Sequence, residues 1–494
     1  MVFFYIGHLR SELAIYLEQK LGAPRDQIII IITMASVIPF SLLNYLIHNR
    51  TIRLLYSLII GFIFQYSIYG KNTFHTIFGI IATYLFVNFF GRKISPFYLL
   101  IASITHLSFL NIYRMIYDFG GWAIDDISTI YMVEVAKFSS FAFSYSDGDK
   151  DIKTIRSEHQ KKSRIEKMPS LLEFSSYIYF YPACIVGPFI EYMDFINFID
   201  EKDCYTNLTS KLGYILKQGF QKLSIAIFFI VYFAVFGGVY PMTPVSTPKF
   251  REDYPKWWMR IIYMYVCGPV ARSKYYIAWT LTYSSLIFSG MAYGETIKED
   301  KVIPNVEKGS YGSILYNEFG MNPRMKMVYW NMSIHIWLKY NVYTRVLASK
   351  RFKNNKPIAS FITYIFSSLW HGFYPSYYVS FLMYFFFEQD AAFLDEFGFY
   401  KYVDQNKFLW PIISLKTTFI NDMIGSIFYC LEIGSTKQIF INYYGLPASA
   451  IIGFFILSLV YRIIFKKKKI RKDLDEGRRK EEIFKTIRRR KGQI

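Results

Sequence analysis

The chain has 494 residues, of which 53% are hydrophobic, 20% aromatic and 19% charged, and its formal net charge is +20. A soluble domain of this length carries more charge and fewer aromatic residues, so the composition excludes an ordinary water-soluble globule. The basic surplus is concentrated near the C-terminus, after an apolar run, which favours anionic lipid headgroups over nucleic acid as its partner.

Residues 1–26 carry Arg10, Glu12, Glu18, Lys20, Arg25 and Asp26, too many charges for the apolar part of a cleavable signal, and are expected to lie at the interface as an amphipathic helix. Four uncharged stretches follow, Ile28–Ile47, Leu54–Gly70, Phe74–Gly91 and Ser95–Tyr113. Each approaches the ~20 residues that a helix needs to cross ~30 Å of hydrocarbon. A polar turn is expected at Gly120–Asp126. The apolar run Ile127–Ser146 then holds Glu134 and Lys137, three apart and able to pair on one helix face. Residues 147–168, with 7 Lys/Arg and 5 Asp/Glu, must lie outside the bilayer.

Leu171–Ile190 reads as a span interrupted by Pro182 and Gly187-Pro188, and Leu223–Tyr240 as another. Trp258–Gly268 and Ile277–Tyr293 read as two short segments joined through Pro269, Arg272 and Lys274, and residues 295–326 as an extramembrane loop. Val328–Val346, Pro357–Phe387, Phe408–Leu431 and Leu446–Phe465 complete the apolar set. The expected architecture is all-α, a polytopic transmembrane bundle of roughly 10–12 membrane helices with an internal chamber. No internal repeat is evident, so residues 1–465 form one membrane unit. Residues 466–494 form a basic tail, cytosolic by the positive-inside rule, since 462–494 hold 15 Lys/Arg against 5 Asp/Glu. Cys184, Cys204, Cys267 and Cys430 have neither metal-ligand spacing nor a paired framework.

Two places carry polar chemistry into the membrane, where unpaired polar groups are costly and tend to be functional. Pro357–Phe387 runs 31 residues without a charge, and His371 is its one strongly polar side chain. A straight helix of that length would measure about 45 Å, longer than the bilayer requires. The sequence Trp370-His371-Gly372-Phe373-Tyr374-Pro375 supplies a bend, because Pro375 has no N–H to give the His371 carbonyl. A lone histidine also serves often as a satisfied packing residue, and this segment alone leaves both readings open. The second place is Trp330–Lys339, where Asn331 and His335 stand four apart on one face with Leu338 and Val342. One histidine without a carboxylate on that face gives no metal site, so no metal is expected. An interhelical hydrogen-bonding pair is the alternative to chemistry here.

Taken together, the segments resemble the membrane-bound O-acyltransferases. Trp330–Leu338 is similar to that family's WN…W-L element, and Trp370–Tyr378, WHGFYPSYY, to its histidine element. Asp126–Val133, Phe143–Gly148 (FSYSDG) and Pro169–Phe195 (PSLLEF…GPFIEYMDF) resemble the lysophospholipid branch, so the likeness spans most of 120–390. The sterol and diacylglycerol branch carries an FYxDWWN motif where this chain has Val328-Tyr329-Trp330.

The resemblance implies His371 and Asn331 as catalytic residues facing one chamber, with Trp330, His335, Trp370 and Tyr374 as candidate substrate-binding residues. It implies transfer from acyl-CoA, a co-substrate rather than a resident cofactor, to the free hydroxyl of a lysophospholipid in the endoplasmic reticulum membrane. His371 would act as general base, and Asn331 would stabilise the oxyanion or orient the imidazole. Oligomeric state is left open, a homodimer included. A protein, peptide or neutral-lipid acceptor is the alternative within the family. A transporter with a broken helix at Pro375 is the alternative outside it, although such folds usually show repeated halves.

Overall fold

The computed structural model describes residues 25–464, apart from 120–125, 156 and 300, together with isolated positions between 12 and 19. The amphipathic helix expected at 1–26, the turn at 120–126 and the basic tail fall largely or wholly outside these residues.

The protein is a helical membrane protein. Among the described residues, eleven helices run 16 residues or more, and the two short strands Gly294–Lys298 and Lys301–Asn305 form an antiparallel ribbon in the loop expected outside the membrane. Five stretches are long and apolar enough to cross a bilayer: Ile28–Leu46, Arg50–Phe90, Phe97–Tyr117, Leu208–Phe236 and Leu446–Ile464. Arg50–Phe90 comprises two helices divided by a one-turn 3-10 segment at Gly70–Thr73.

Apolar stretches mark the lipid-facing helices, and in Leu212–Phe236 the two lysines, Lys217 and Lys222, are confined to the first half. Leu212–Phe236 exposes Phe220, Phe228, Val231 and Val235, and only 11% of its apolar window is buried. Its inner side packs on the 32-residue helix Trp257–Phe288, and a methyl group added at Gly219 would come within 2.6 Å of the Phe288 ring. Ser128–Asp147 is the opposite case, buried over nearly its whole length, with Ala136, Ser139, Ser140 and Ala142 keeping neighbouring helices close.

Four sequence expectations change. Trp258–Gly268 and Ile277–Tyr293 are parts of one helix that continues through Pro269, because Arg272 is neutralised by Glu318 and Asp422 inside the bundle and is no loop residue. Val328–Val346 is not one span. It breaks at Asn331, in the left-handed region at φ 47°, and again at a π-turn over Lys339–Tyr343. Leu171–Ile190 is helical only over Leu171–Ile178, then turns at Tyr181–Ala183 and runs irregularly to Ile190. Glu134 and Lys137 do not pair with each other. Glu134 accepts from Gln65 (2.9 Å) and Thr76 (2.8 Å), while Lys137 donates to the Ile178 and Ala183 carbonyls, both at 3.1 Å. Buried polar groups take whichever partners the packing presents, and here those partners lie on other elements.

Candidate active site

The long apolar run expected to bend does break. One helix, Lys356–His371, ends on the histidine, and the next, Pro375–Asp395, begins on the proline. Pro375 occupies the first helical position, where a missing N–H costs nothing. Gly372 makes the break possible. Its φ of 125° suits glycine alone, and a Cβ there would rest in van der Waals contact with Asn111 at 3.4 Å.

His371 therefore projects from a helix terminus into a ring of aromatic side chains. Trp370 lies 4.8 Å away between ring centroids, Phe381 and Phe428 5.2 Å, and Tyr377 5.9 Å. The imidazole is half-buried. Neither ring nitrogen hydrogen-bonds to a described residue, and neither is among the sealed polar atoms left unsatisfied in the interior, so both remain accessible. Asn111 behind it is sealed, with both amide atoms unpartnered. Arg114, one turn further along the same helix, pairs with Asp126 (3.1 Å) and lies 5.8 Å from the Tyr374 ring.

Asn331 sits in a turn between two short helices, Pro323–Tyr329 and Met332–Leu338. Asparagine tolerates the left-handed conformation better than most residues. Its carbonyl accepts from the His335 N–H at 3.0 Å and its Oδ1 from Ser333 at 3.3 Å, while its Nδ2 has no hydrogen bond to a described residue and is not sealed. The turn is pinned from outside. Asn317 donates to the Tyr329 carbonyl (3.0 Å), and Lys326 donates to the Asn317 carbonyl (2.7 Å) and to Thr418 (2.8 Å).

Tryptophans join the two elements. Trp337 donates to Ser139 (3.0 Å), Trp370 donates to the Met132 carbonyl (2.9 Å), and their rings are 5.7 Å apart. The helix Trp257–Phe288 closes the arrangement from the other side. Tyr275 lies 5.5 Å from Trp330, and its neighbour Lys274 donates to Tyr429 (3.0 Å), which adjoins the Phe428 that touches His371.

Of the residues singled out from sequence, His371, Asn331, Trp330 and His335 are half-buried, whereas Trp370 and Tyr374 are buried at 4% and 2% exposure and stand behind the accessible surface. Tyr275, Tyr377, Phe381 and Phe428 were not anticipated, because aromatic residues are too common in this sequence to stand out. Lys274 was passed over as a connector. A charge inside an apolar run was the signal available for it. Among the described residues, no group of three or more His, Cys, Asp or Glu could hold a metal ion.

The sequence model of the membrane-bound O-acyltransferase (MBOAT) family matches residues 95–389. The chain is 27% identical over 378 residues to a lysophospholipid acyltransferase of Schizosaccharomyces pombe, covering 74% of this chain and 72% of that one. It is 29% identical over 320 residues to the lysophospholipid acyltransferase of Saccharomyces cerevisiae, covering 60% of this chain and 50% of that one. Human lysophospholipid acyltransferase 5 is 25% identical over 379 residues, 74% and 73% of the two chains. The chain belongs to the membrane-bound O-acyltransferase family.

Proposed function

We propose that this acyltransferase moves a fatty acyl group from acyl-CoA to the free hydroxyl of a lysophospholipid, yielding a diacyl phospholipid and CoA. The observation that carries the reading is the imidazole of His371, which lies inside an aromatic ring of side chains with neither nitrogen hydrogen-bonded to a described residue and both accessible. A neutral imidazole can remove the hydroxyl proton as the oxygen attacks the thioester carbon, and a positioned base of this kind is worth about 10²–10⁴ in rate. The carbonyl oxygen gains charge as the carbon becomes tetrahedral. The free Nδ2 of Asn331 is the donor we assign to it, held in place by a turn whose other polar groups are already satisfied. Collapse then expels CoA, and the imidazolium returns its proton to the departing sulfur. Trp330 and His335 line the approach, while Trp370 and Tyr374 set the position of His371 from behind.

The activity for which these relatives are named supports a lysophospholipid acceptor. The exposed apolar surface of Leu212–Phe236 supports lateral entry of that lipid from the bilayer. Acyl-CoA, with its phosphates, reaches the site from the aqueous side. Residence in the endoplasmic reticulum with a cytosolic C-terminus belongs to the same reading.

The test uses purified full-length protein in nanodiscs with labelled acyl-CoA, offered lysophospholipids of several headgroups, a monoacylglycerol and a peptide. Transfer to at least one lysophospholipid, in preference to the other two, is the expected outcome. Transfer confined to the peptide or the neutral lipid would overturn the acceptor assignment, and no transfer to any acceptor would overturn the reaction.

A further inference from the structure

Arg272 and Lys274 stand two residues apart on the helix Trp257–Phe288, yet only Arg272 has acidic partners. It pairs with Glu318 at 2.5 Å and with Asp422. Among the described residues, no carboxylate lies within ion-pair distance of Lys274. The ammonium group donates to the Tyr429 hydroxyl at 3.0 Å and sits 5.3 Å from the Phe233 ring centroid and 5.6 Å from that of Tyr429. Aromatic faces and one hydroxyl do not neutralise a cation, and a charge held inside a membrane bundle calls for an anion.

Three further observations locate that anion. Phe233 lies three residues before Phe236, so Lys274 meets that helix near its C-terminal end. Phe233 is half-buried on the inner side of the helix most open to lipid, so Lys274 lies between that helix and the interior of the bundle. Tyr429 also lines a cavity of about 120 Å³ with the polar side chains Thr243, Ser246 and Ser426, and its neighbour Phe428 packs on His371.

We propose that Lys274 anchors the phosphate of the acceptor lipid, holding the headgroup toward the Tyr429 cavity while the glycerol hydroxyl reaches His371. This rests on the lysophospholipid reading above and adds a specificity residue to it. Through Tyr429 and its neighbour Phe428 the lysine stands on the side of His371, and the acyl-CoA arm of the test separates the acceptor's phosphate from those of CoA. A lysine that merely snorkels, the simplest alternative, directs its ammonium outward and takes no part in substrate choice.

The experiment measures equilibrium binding of oleoyl-lysophosphatidylcholine, monooleoylglycerol and acyl-CoA to the purified full-length protein, wild type and with Lys274→Met or Lys274→Arg. A hydrogen bond between charged partners carries about tenfold in affinity or more. Lys274→Met is therefore expected to weaken the lysolipid about tenfold while monooleoylglycerol and acyl-CoA stay within about twofold, and Lys274→Arg is expected to recover most of the loss. Equal losses for both lipids, or no loss for either, would overturn the proposal. A loss confined to acyl-CoA would also overturn it and give the lysine to CoA. Phosphate-dependent binding in a wild-type protein that transfers to no lysolipid would keep the anchor and defeat the acceptor reading instead.

Discussion

Two polar systems meet the helix Trp257–Phe288, and they differ in how completely they are satisfied. Around Arg272 the groups are largely paired, the sealed Oδ2 of Asp422 being the exception. The guanidinium meets two carboxylates, Tyr276 donates to Glu318 at 2.5 Å, and Thr418 links Lys326 to the Glu318 carbonyl. Around His371, and among the described residues, the imidazole nitrogens and the Asn331 Nδ2 have no hydrogen bond and the Lys274 charge has no acidic partner. Both systems bear the same desolvation cost in a membrane interior. The paired set offsets most of it within the protein and works as scaffold, holding the Trp330-Asn331 turn. The unsaturated set leaves its partners to be supplied by substrate, which marks it as the reaction site.

Substitutions that respect this division should separate activity from stability. His371→Ala is expected to cost about 10³-fold in turnover, the loss of a general base, with little change in thermal midpoint. Steady-state transfer and a melting curve on the same preparation would show it. Asp422→Ala should do the reverse, since it strands Arg272 with a single acidic partner. A loss of roughly 1.5–3 kcal/mol in stability, the range for a hydrogen bond to a charged group, is expected, seen as a lower melting temperature in detergent, with activity surviving in the folded fraction. A melting curve equal to wild type would end the scaffold assignment.

Asn331→Ala is expected to lower kcat about 10²-fold with KM for acyl-CoA little changed, because the donor acts on charge that develops during reaction. A KM effect alone would make Asn331 a binding residue. Gly372→Ala is the mildest change. It forces an unfavourable φ and a contact with Asn111, costing about 1–3 kcal/mol, and a modest loss of both stability and rate is the expected readout.

Much of this was legible in the sequence, for identifiable reasons. The lipid-facing helices announce themselves because a bilayer tolerates no charge on them, and Ile28–Ile47 or Ser95–Tyr113 show it directly. The break after His371 is legible because Pro375 cannot donate an N–H, a property of one residue. The Asn331 turn was hidden. Val328–Val346 has the composition of a span, and what breaks it is tertiary: Asn317 holding the Tyr329 carbonyl and Lys326 bound to Thr418, 92 positions away. Arg272 misled for the same reason. Its partners lie 46 and 150 positions distant, so the charge reads as a loop until they are in place. Lys274, beside it, carried the same connector signature for the opposite cause. Among the described residues it has no acidic partner to find.

The central claim, that the accessible imidazole of His371 is where acceptor and donor meet, is tested most directly by a structure of the full-length protein with a lysophospholipid and a non-reactive thioether analogue of acyl-CoA. The account expects the free glycerol hydroxyl within hydrogen-bonding distance of a His371 nitrogen, with the thioether sulfur close by. Ligands bound with the imidazole still packed only against Phe381 and Phe428, and the hydroxyl facing another side chain, would contradict it.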